Sequence, residues 1–170
     1  MSKMEEELQG MYSVMSSVFS EDWYNEMPRW EEFRKLAGPI SKLVYPELVW
    51  LAKNASTGRT VAFVVAMPDW NQVLIKMKGK IFPFGWFHYL RAKSIIKRAR
   101  LMMQYCLKEY QGSSVIPALY AKVVESAEAL GLKEAEASVI LETNRQSRRA
   151  LERLGGKMTR IYRWYVKDLG

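Results

Sequence analysis

The sequence predicts one α/β domain built on a mixed sheet, and three observations point there. Two segments of helical apolar spacing open the chain. A hairpin of two apolar strands follows. A strand, a small-residue turn, a helix and a further strand then form one crossover unit, whose two strands run parallel.

Along residues 4–19, Leu8, Met11, Tyr12, Met15, Val18 and Phe19 recur at helical spacing and predict an amphipathic helix. Residues 22–25 read as a loop. Pro28 stands where a second helix begins, Trp30, Phe33, Leu36 and Ala37 form its buried stripe, and Gly38-Pro39 stops it. Residues 47–53 and 59–67 are strand-like, and 54–58 is the hairpin loop between them. Asp69 is placed to cap a helix over 69–77. Residues 79–85 read as an irregular aromatic loop, and 84–93 as a short helix. The span 98–107 reads as a strand with Leu101, Met103, Tyr105 and Leu107 on one face. Gly112-Ser113-Ser114 is a turn. A helix over 115–130 turns Val115, Ile116, Leu119, Tyr120, Val123, Val124, Ala127 and Leu130 inward, and Gly131 closes it. Strand 135–141, a helix from Asn144 to Gly155 and a closing strand 157–167 complete the reading. In outline, 1–45 carries the first helices, 46–107 the first half of the sheet with an insertion at 69–95, and 108–170 the core crossover and final strands.

Composition narrows the chemistry. The 170 residues are 49% hydrophobic and 26% charged, the balance of a globular domain. No apolar run approaches the roughly 20 residues that span a bilayer, and the N-terminus lacks a basic-then-apolar leader pattern. The expectation is a cytoplasmic chain with no membrane association. Cys106 is the one cysteine and His88 the one histidine, so neither an internal disulfide nor a Cys-rich metal site is expected. The net charge is +8. Between Trp70 and Leu107 stand Lys76, Lys78, Lys80, Arg91, Lys93, Lys97, Arg98 and Arg100 with no Asp or Glu. Such a stretch attracts an anion, or is the solvated face of a basic protein.

The stretch from Leu107 to Pro117 carries the most specific signal. A strand ends, small residues turn the chain, and a helix begins. The first amides of that helix have no partner within it, and the helix dipole adds positive potential there. The segment is a candidate phosphate site, or an ordinary loop with a serine cap.

From Arg100 onward the chain resembles the core of the GNAT acyltransferase superfamily. The pyrophosphate loop of that superfamily has the form Arg/Gln-x-x-Gly-x-Gly/Ala. Gln111 holds the first position, followed by Gly112 and Ser113; Ser114 stands at the second motif glycine and Ile116 at the final Gly/Ala. The Leu130-Gly131-Leu132 turn, Glu142-Thr143-Asn144 and the run from Leu151 to Gly155 follow the same pattern in order and spacing. Over nearly the whole chain, Pro46-Glu47-Leu48-Val49, 67–72, 79–85, 140–144 and 160–165 resemble a group of bacterial GNAT proteins of unassigned substrate. Members of that group are often about twice as long, with this domain at the C-terminal end.

The resemblance implies a splayed parallel strand pair that admits acetyl-CoA or CoA. It implies contacts from Tyr105, Cys106 and Leu107 on the strand, from Gln111, Gly112, Ser113, Ser114, Val115 and Ile116 in the loop, and from Asn144 beside the pantetheine arm. The implied reaction is direct attack of an amine, on a small molecule or a protein, upon the thioester, with a backbone amide near Leu107 facing the carbonyl oxygen. Glu142, at the C-terminal edge of a parallel strand, is the first candidate base. Tyr120 is the second candidate catalytic residue; it and Tyr105 are candidates to line the cleft, or core tyrosines. Leu151 stands where many members carry a tyrosine acid. Cys106 reads as a packed thiol and His88 as an aromatic-loop residue. The aromatic stretch 79–89 either packs on the sheet or forms a candidate substrate wall; alternatively it, or the pair of first helices, is a surface buried against a second copy or a missing partner domain. Two other functions remain open: a non-catalytic domain that binds CoA or a protein, and, third, nucleic-acid binding through the basic stretch 76–100.

Overall fold

The computed structural model describes residues 3–19, 26–80, 82 and 85–167. The expected loop at 22–25 lies outside those residues, as do residues 81, 83 and 84 of the expected aromatic loop at 79–85. The chain divides into two compact units, residues 1–138 and 139–170.

In the first unit, α1 (Lys3–Val18) precedes α2 (Trp30–Ser41). A 3₁₀ turn at Pro46–Leu48 leads into β1 (Val49–Lys53), which forms a hairpin with β2 (Thr60–Pro68). Three short helices follow: α3 (Asn71–Met77), α4 (Gly85–Leu90) and α5 (Ala92–Ile95). Then come β3 (Arg98–Cys106), α6 (Val115–Ala129) and β4 (Glu134–Ala137). The sheet order is β1-β2-β3-β4; the first two pairings are antiparallel and β3–β4 is parallel. The fold is therefore the mixed α/β sheet that the hairpin and crossover predict.

Alternation along β2 builds the interior. Val61, Phe63 and Val65 pack with Met11, Val14 and Met15 of α1, Phe33 of α2 and Leu107. Ala62 and Val64, one residue out of phase, are buried as well. A strand buried on both faces is the centre of a layered domain, with α1 and α6 both packed against it.

Four expectations need correction. First, α2 runs through Gly38 and Pro39 to Ser41. Pro39 sits in the last turn, where a missing amide costs one bond, and its carbonyl still accepts from the Lys42 amide at 3.3 Å. Leu36 of that helix is exposed, as are Val124 and Leu130 of α6. Second, the register of β2 and β3 shifts between Val65 and Ala66: Val65 pairs with Met103 but Ala66 with Leu101. The bulge at Met102 puts Leu101 out of phase with Met103, Tyr105 and Leu107, so these four do not share a face. Third, Asp69 precedes its helix by two residues. It is buried, its Oδ1 accepts the Asn71 amide at 3.2 Å, and its Oδ2 meets Arg98 at 3.6 Å. Fourth, β4 is shorter than the 135–141 expected.

The second unit holds α7 (Arg145–Arg153), and Gly155 follows it at φ 84°. Asn144 caps the helix: its Oδ1 accepts the Ser147 amide at 3.1 Å. The expected closing strand at 157–167 has no regular structure among the described residues, and Ile161 and Trp164 are exposed. Alternating apolar residues become a strand only through a ladder partner, and this unit holds no strand among its described residues.

Candidate functional site

The chain leaves β3 at Cys106, makes a 3₁₀ turn at Lys108–Tyr110 and enters α6 after Ser114. Gln111 is extended, and Gly112 takes φ 80°, the left-handed region that favours glycine. A Cβ at Gly112 would meet nothing within 4 Å. Conformation, not crowding, therefore calls for the glycine. Ser114 lies at φ −76° and ψ 0°, so serine stands there without strain where the superfamily pattern has glycine.

Side chains hold this loop in shape. Gln111 Nε2 donates to the Cys106 carbonyl at 3.0 Å, tying the loop back to the end of β3. Ser113 Oγ donates to the Tyr110 carbonyl at 2.6 Å and accepts the Val115 amide at 3.3 Å. The Tyr110 hydroxyl accepts from Asn54 Nδ2 at 3.0 Å, which anchors the turn to the hairpin loop. Among the described residues, the amides of Gly112, Ser114 and Ile116 have no acceptor. Gly112 to Ser114 are exposed. Three donors at the start of a 15-residue helix, with its dipole behind them, match the charge and hydrogen-bonding needs of a phosphate.

Beside the loop the sheet opens. The β3–β4 ladder runs from Arg98 opposite Glu134 to Leu101 opposite Ala137 and ends there, while β3 continues to Cys106. The bulge at Met102 falls where the two strands part. The Leu107 amide donates to the Val61 carbonyl at 2.9 Å, so it is spent on the sheet. Antiparallel alternation then assigns the Met103 and Tyr105 amides to β2 and turns those of Gln104 and Cys106 toward the open side. Below the opening, Arg98 bridges Asp69, Glu134 and Glu136, and Arg100 reaches Ser138 at 3.1 Å. This network pins the closed end of the strand pair. No local motif announced it, because it depends on the parallel register.

The tyrosines and the cysteine occupy packed positions. The Tyr120 hydroxyl bonds Gln104 Oε1, and burial pushes the Tyr120 phenol up to about 12. It stays neutral at ordinary pH. Tyr105 leans on Phe63, centroids 5.6 Å apart, and burial raises its pKa as well. The Cys106 thiol is raised first by burial and then by the Glu109 charge. Alkylation of Cys106 at mild alkaline pH is expected to be slow in the folded chain and fast in denaturant; equal rates by mass spectrometry would contradict this placement.

Val115 and Ile116 are half-buried in the first turn of α6. Glu142 and Asn144 belong to the second unit, where Glu142 is exposed and Asn144 is the cap already described. Phe82, Trp86, Phe87 and Tyr89 of the aromatic stretch are exposed rather than packed on the sheet. Among the described residues, no group of three or more His, Cys, Asp or Glu is placed to hold a metal ion. No helix among them is long and apolar enough to cross a membrane.

No family model matches the chain. It is similar to aminoglycoside N-acetyltransferase AAC(6')-Iy in complex with CoA, with a TM-score of 0.61 and 17% identity over 96% of this chain and 90% of that one. It is similar to aminoglycoside 6'-N-acetyltransferase AAC(6')-Ih from Acinetobacter baumannii, with a TM-score of 0.56 and 16% identity over 98% and 95%. The fold is the GNAT acetyltransferase fold. In sequence, the chain is 29% identical over 175 residues to the bacterial ceramide synthase of Caulobacter vibrioides, covering 99% of this chain and 45% of that protein. It is also 29% identical over 170 residues to protein YghO of Escherichia coli, covering 96% and 43%. The chain thus spans less than half the length of the curated relatives it matches. Within the GNAT fold, β3 parts from β4 after Leu101, and residues Gln111 to Ser114 form the turn that leads into α6.

Proposed function

We propose that the chain is the acyl-CoA-binding part of an N-acyltransferase, and the observation that carries this is the amide cradle of Gly112, Ser114 and Ile116 beside the open edge of β3. The residues present fit the cofactor. Exposed backbone donors and the Ser114 hydroxyl suit a pyrophosphate, and the edge of β3 beyond its ladder with β4 suits the amides of a pantetheine arm. When bound, CoA supplies an activated acyl thioester.

The chain's own groups then divide the work. Gln111 keeps the loop against β3 through the Cys106 carbonyl. The cradle fixes the anionic end, so that the acyl end is held in line for attack. The Cys106 amide, turned toward the opening, is the candidate donor to the carbonyl oxygen as charge develops there. This role falls to Cys106 rather than Leu107, whose amide is bound to Val61. Tyr120, neutral and bonded to Gln104, holds that side chain and acts neither as base nor as nucleophile. The resemblance nominates Glu142 as base for the incoming ammonium and Asn144 as a contact for the pantetheine arm; within its own unit Asn144 starts α7. Leu151 has no proton to give, so the thiolate departs without a protein acid at that position.

The relative named a ceramide synthase makes a long-chain amino alcohol the first acceptor to test, since ceramide is the N-acyl derivative of one. The test incubates the chain with acetyl-CoA or a long-chain acyl-CoA and three amines: a long-chain amino alcohol, an aminosugar and a lysine peptide. N-acyl product by mass spectrometry, slowed about 100-fold or more by Glu142→Gln, is the expected result for a lost general base. CoA binding without product from any amine would favour the non-catalytic reading, to which Leu151 lends weight.

A further inference from the structure

The helices α3, α4 and α5 pack on one another and form a lobe between β2 and β3. Its surface is unusual in two ways at once. Large apolar side chains stand in solvent: Leu74 and Ile75 on α3, Phe82, and Trp86, Phe87 and Leu90 on α4. Ile75 is 74% exposed and Phe82 83%. Trp86, Phe87 and Leu90 fall within about 100° of arc on their helix, a single stripe.

The same lobe carries unneutralised charge. Lys76, Lys78, Lys80, Arg91, Lys93 and Lys97 are all exposed, and none pairs with an acidic group among the described residues. The next two cations in the chain behave differently. Arg98 and Arg100 are committed to Asp69, Glu134 and Glu136. From Trp70 to Lys108 no acidic residue offers a partner. Arg91 instead lies over the Phe87 ring at 5.4 Å, which sets a cation directly beside the exposed aromatic stripe.

We infer that this lobe docks the protein on an anionic lipid bilayer surface. Unpaired lysines complement the negative headgroups, and each contributes while it lies within a Debye length of the surface. Trp and Tyr favour the headgroup level, where the ring is apolar on one side and wet on the other. Aliphatic Leu74, Ile75 and Leu90 add burial in the acyl boundary. They favour a lipid surface over a single-stranded nucleic acid, whose bases stack on aromatic rings. The sequence predicts no membrane association because it holds no spanning segment; a lobe that lies on the surface needs none. The inference stands independently of the acyltransfer reading. If both hold, the docked protein meets amphiphilic acceptors where they reside.

The test is co-sedimentation of the full chain with vesicles of phosphatidylcholine alone and of phosphatidylcholine containing a minority of phosphatidylglycerol. The chain is expected to pellet with the anionic vesicles at low salt and to stay in solution with the neutral ones. Lys76→Ala and Lys78→Ala should each lower the partition coefficient about fivefold. Trp86→Ser with Leu90→Ser should weaken the binding that survives at high salt; both sites are exposed, and unchanged circular dichroism would confirm intact variants. Failure to pellet with anionic vesicles would overturn the inference. So would equal binding to neutral vesicles, or tighter binding to a single-stranded oligonucleotide that the serine variants leave intact. Dimerisation in the absence of lipid, abolished by the serine variants, would assign the lobe to a second copy and overturn it too.

Discussion

Phe63→Ala is expected to destabilise the first unit by about 3–5 kcal/mol, the range for emptying a large aromatic from a packed core. Phe63 is 0% exposed at the centre of β2. Its ring meets Tyr105 of β3, and its cluster joins α1, α2 and Leu107. No flexible surface group stands ready to fill the space, because both faces of β2 are already buried. Domains of this size have about 5–15 kcal/mol in hand, so the loss is a large share of the whole. Chemical denaturation should show a lower midpoint with an unchanged slope. A loss of unfolding free energy under about 1 kcal/mol would mean that the core is looser than its burial indicates. The variant also threatens the site, since Leu107 belongs to the same cluster and its amide is bound to the neighbouring Val61.

Gly112→Trp carries the largest expected effect on function. A non-glycine residue at φ 80° costs about 1–2 kcal/mol in backbone strain. A Cβ at Gly112 would meet nothing within 4 Å, so the added side chain starts in open space beside the exposed loop amides, where its bulk is expected to block a phosphate. Each charge-assisted hydrogen bond to a phosphate is worth about 1.5–3 kcal/mol, and losing two weakens binding by two orders of magnitude or more. Gly112→Ala separates the two causes, for it adds the strain without the bulk and should fall between wild type and tryptophan. If Gly112→Trp binds CoA as the parent does, the anion site lies elsewhere.

The elements that local chemistry dictates were legible in the sequence. The α1 stripe, the hairpin loop with Asn54 folded over it, and the C-terminal stop at Gly131 each follow from residues within one turn of one another. The turn into α6 was legible for the same reason, since a glycine, two serines and a helix start are neighbours in the chain. What escaped depends on pairing between distant residues. The bulge at Met102 is a mismatch between β2 and β3, and no pattern within β3 announces it. Alternation alone therefore placed Leu101 on the wrong face. The closing strand at 157–167 failed similarly, because its pattern names a face but not a partner. The Asp69–Arg98–Glu134–Glu136 network joins β2, β3 and β4 and needed the parallel register to appear. The aromatic stretch showed its composition plainly and its exposure not at all. A run of Trp, Phe and Leu reads as core until the structure leaves it in water.

The central claim is that the loop from Gln111 to Ile116, beside the open edge of β3, binds the pyrophosphate and pantetheine of an acyl-CoA. Calorimetric titration of the purified chain with acetyl-CoA and with CoA tests it most directly. One site of micromolar affinity, about −8 kcal/mol, is expected, shared by both ligands because the nucleotide end carries the binding. No heat of binding up to millimolar ligand would contradict it.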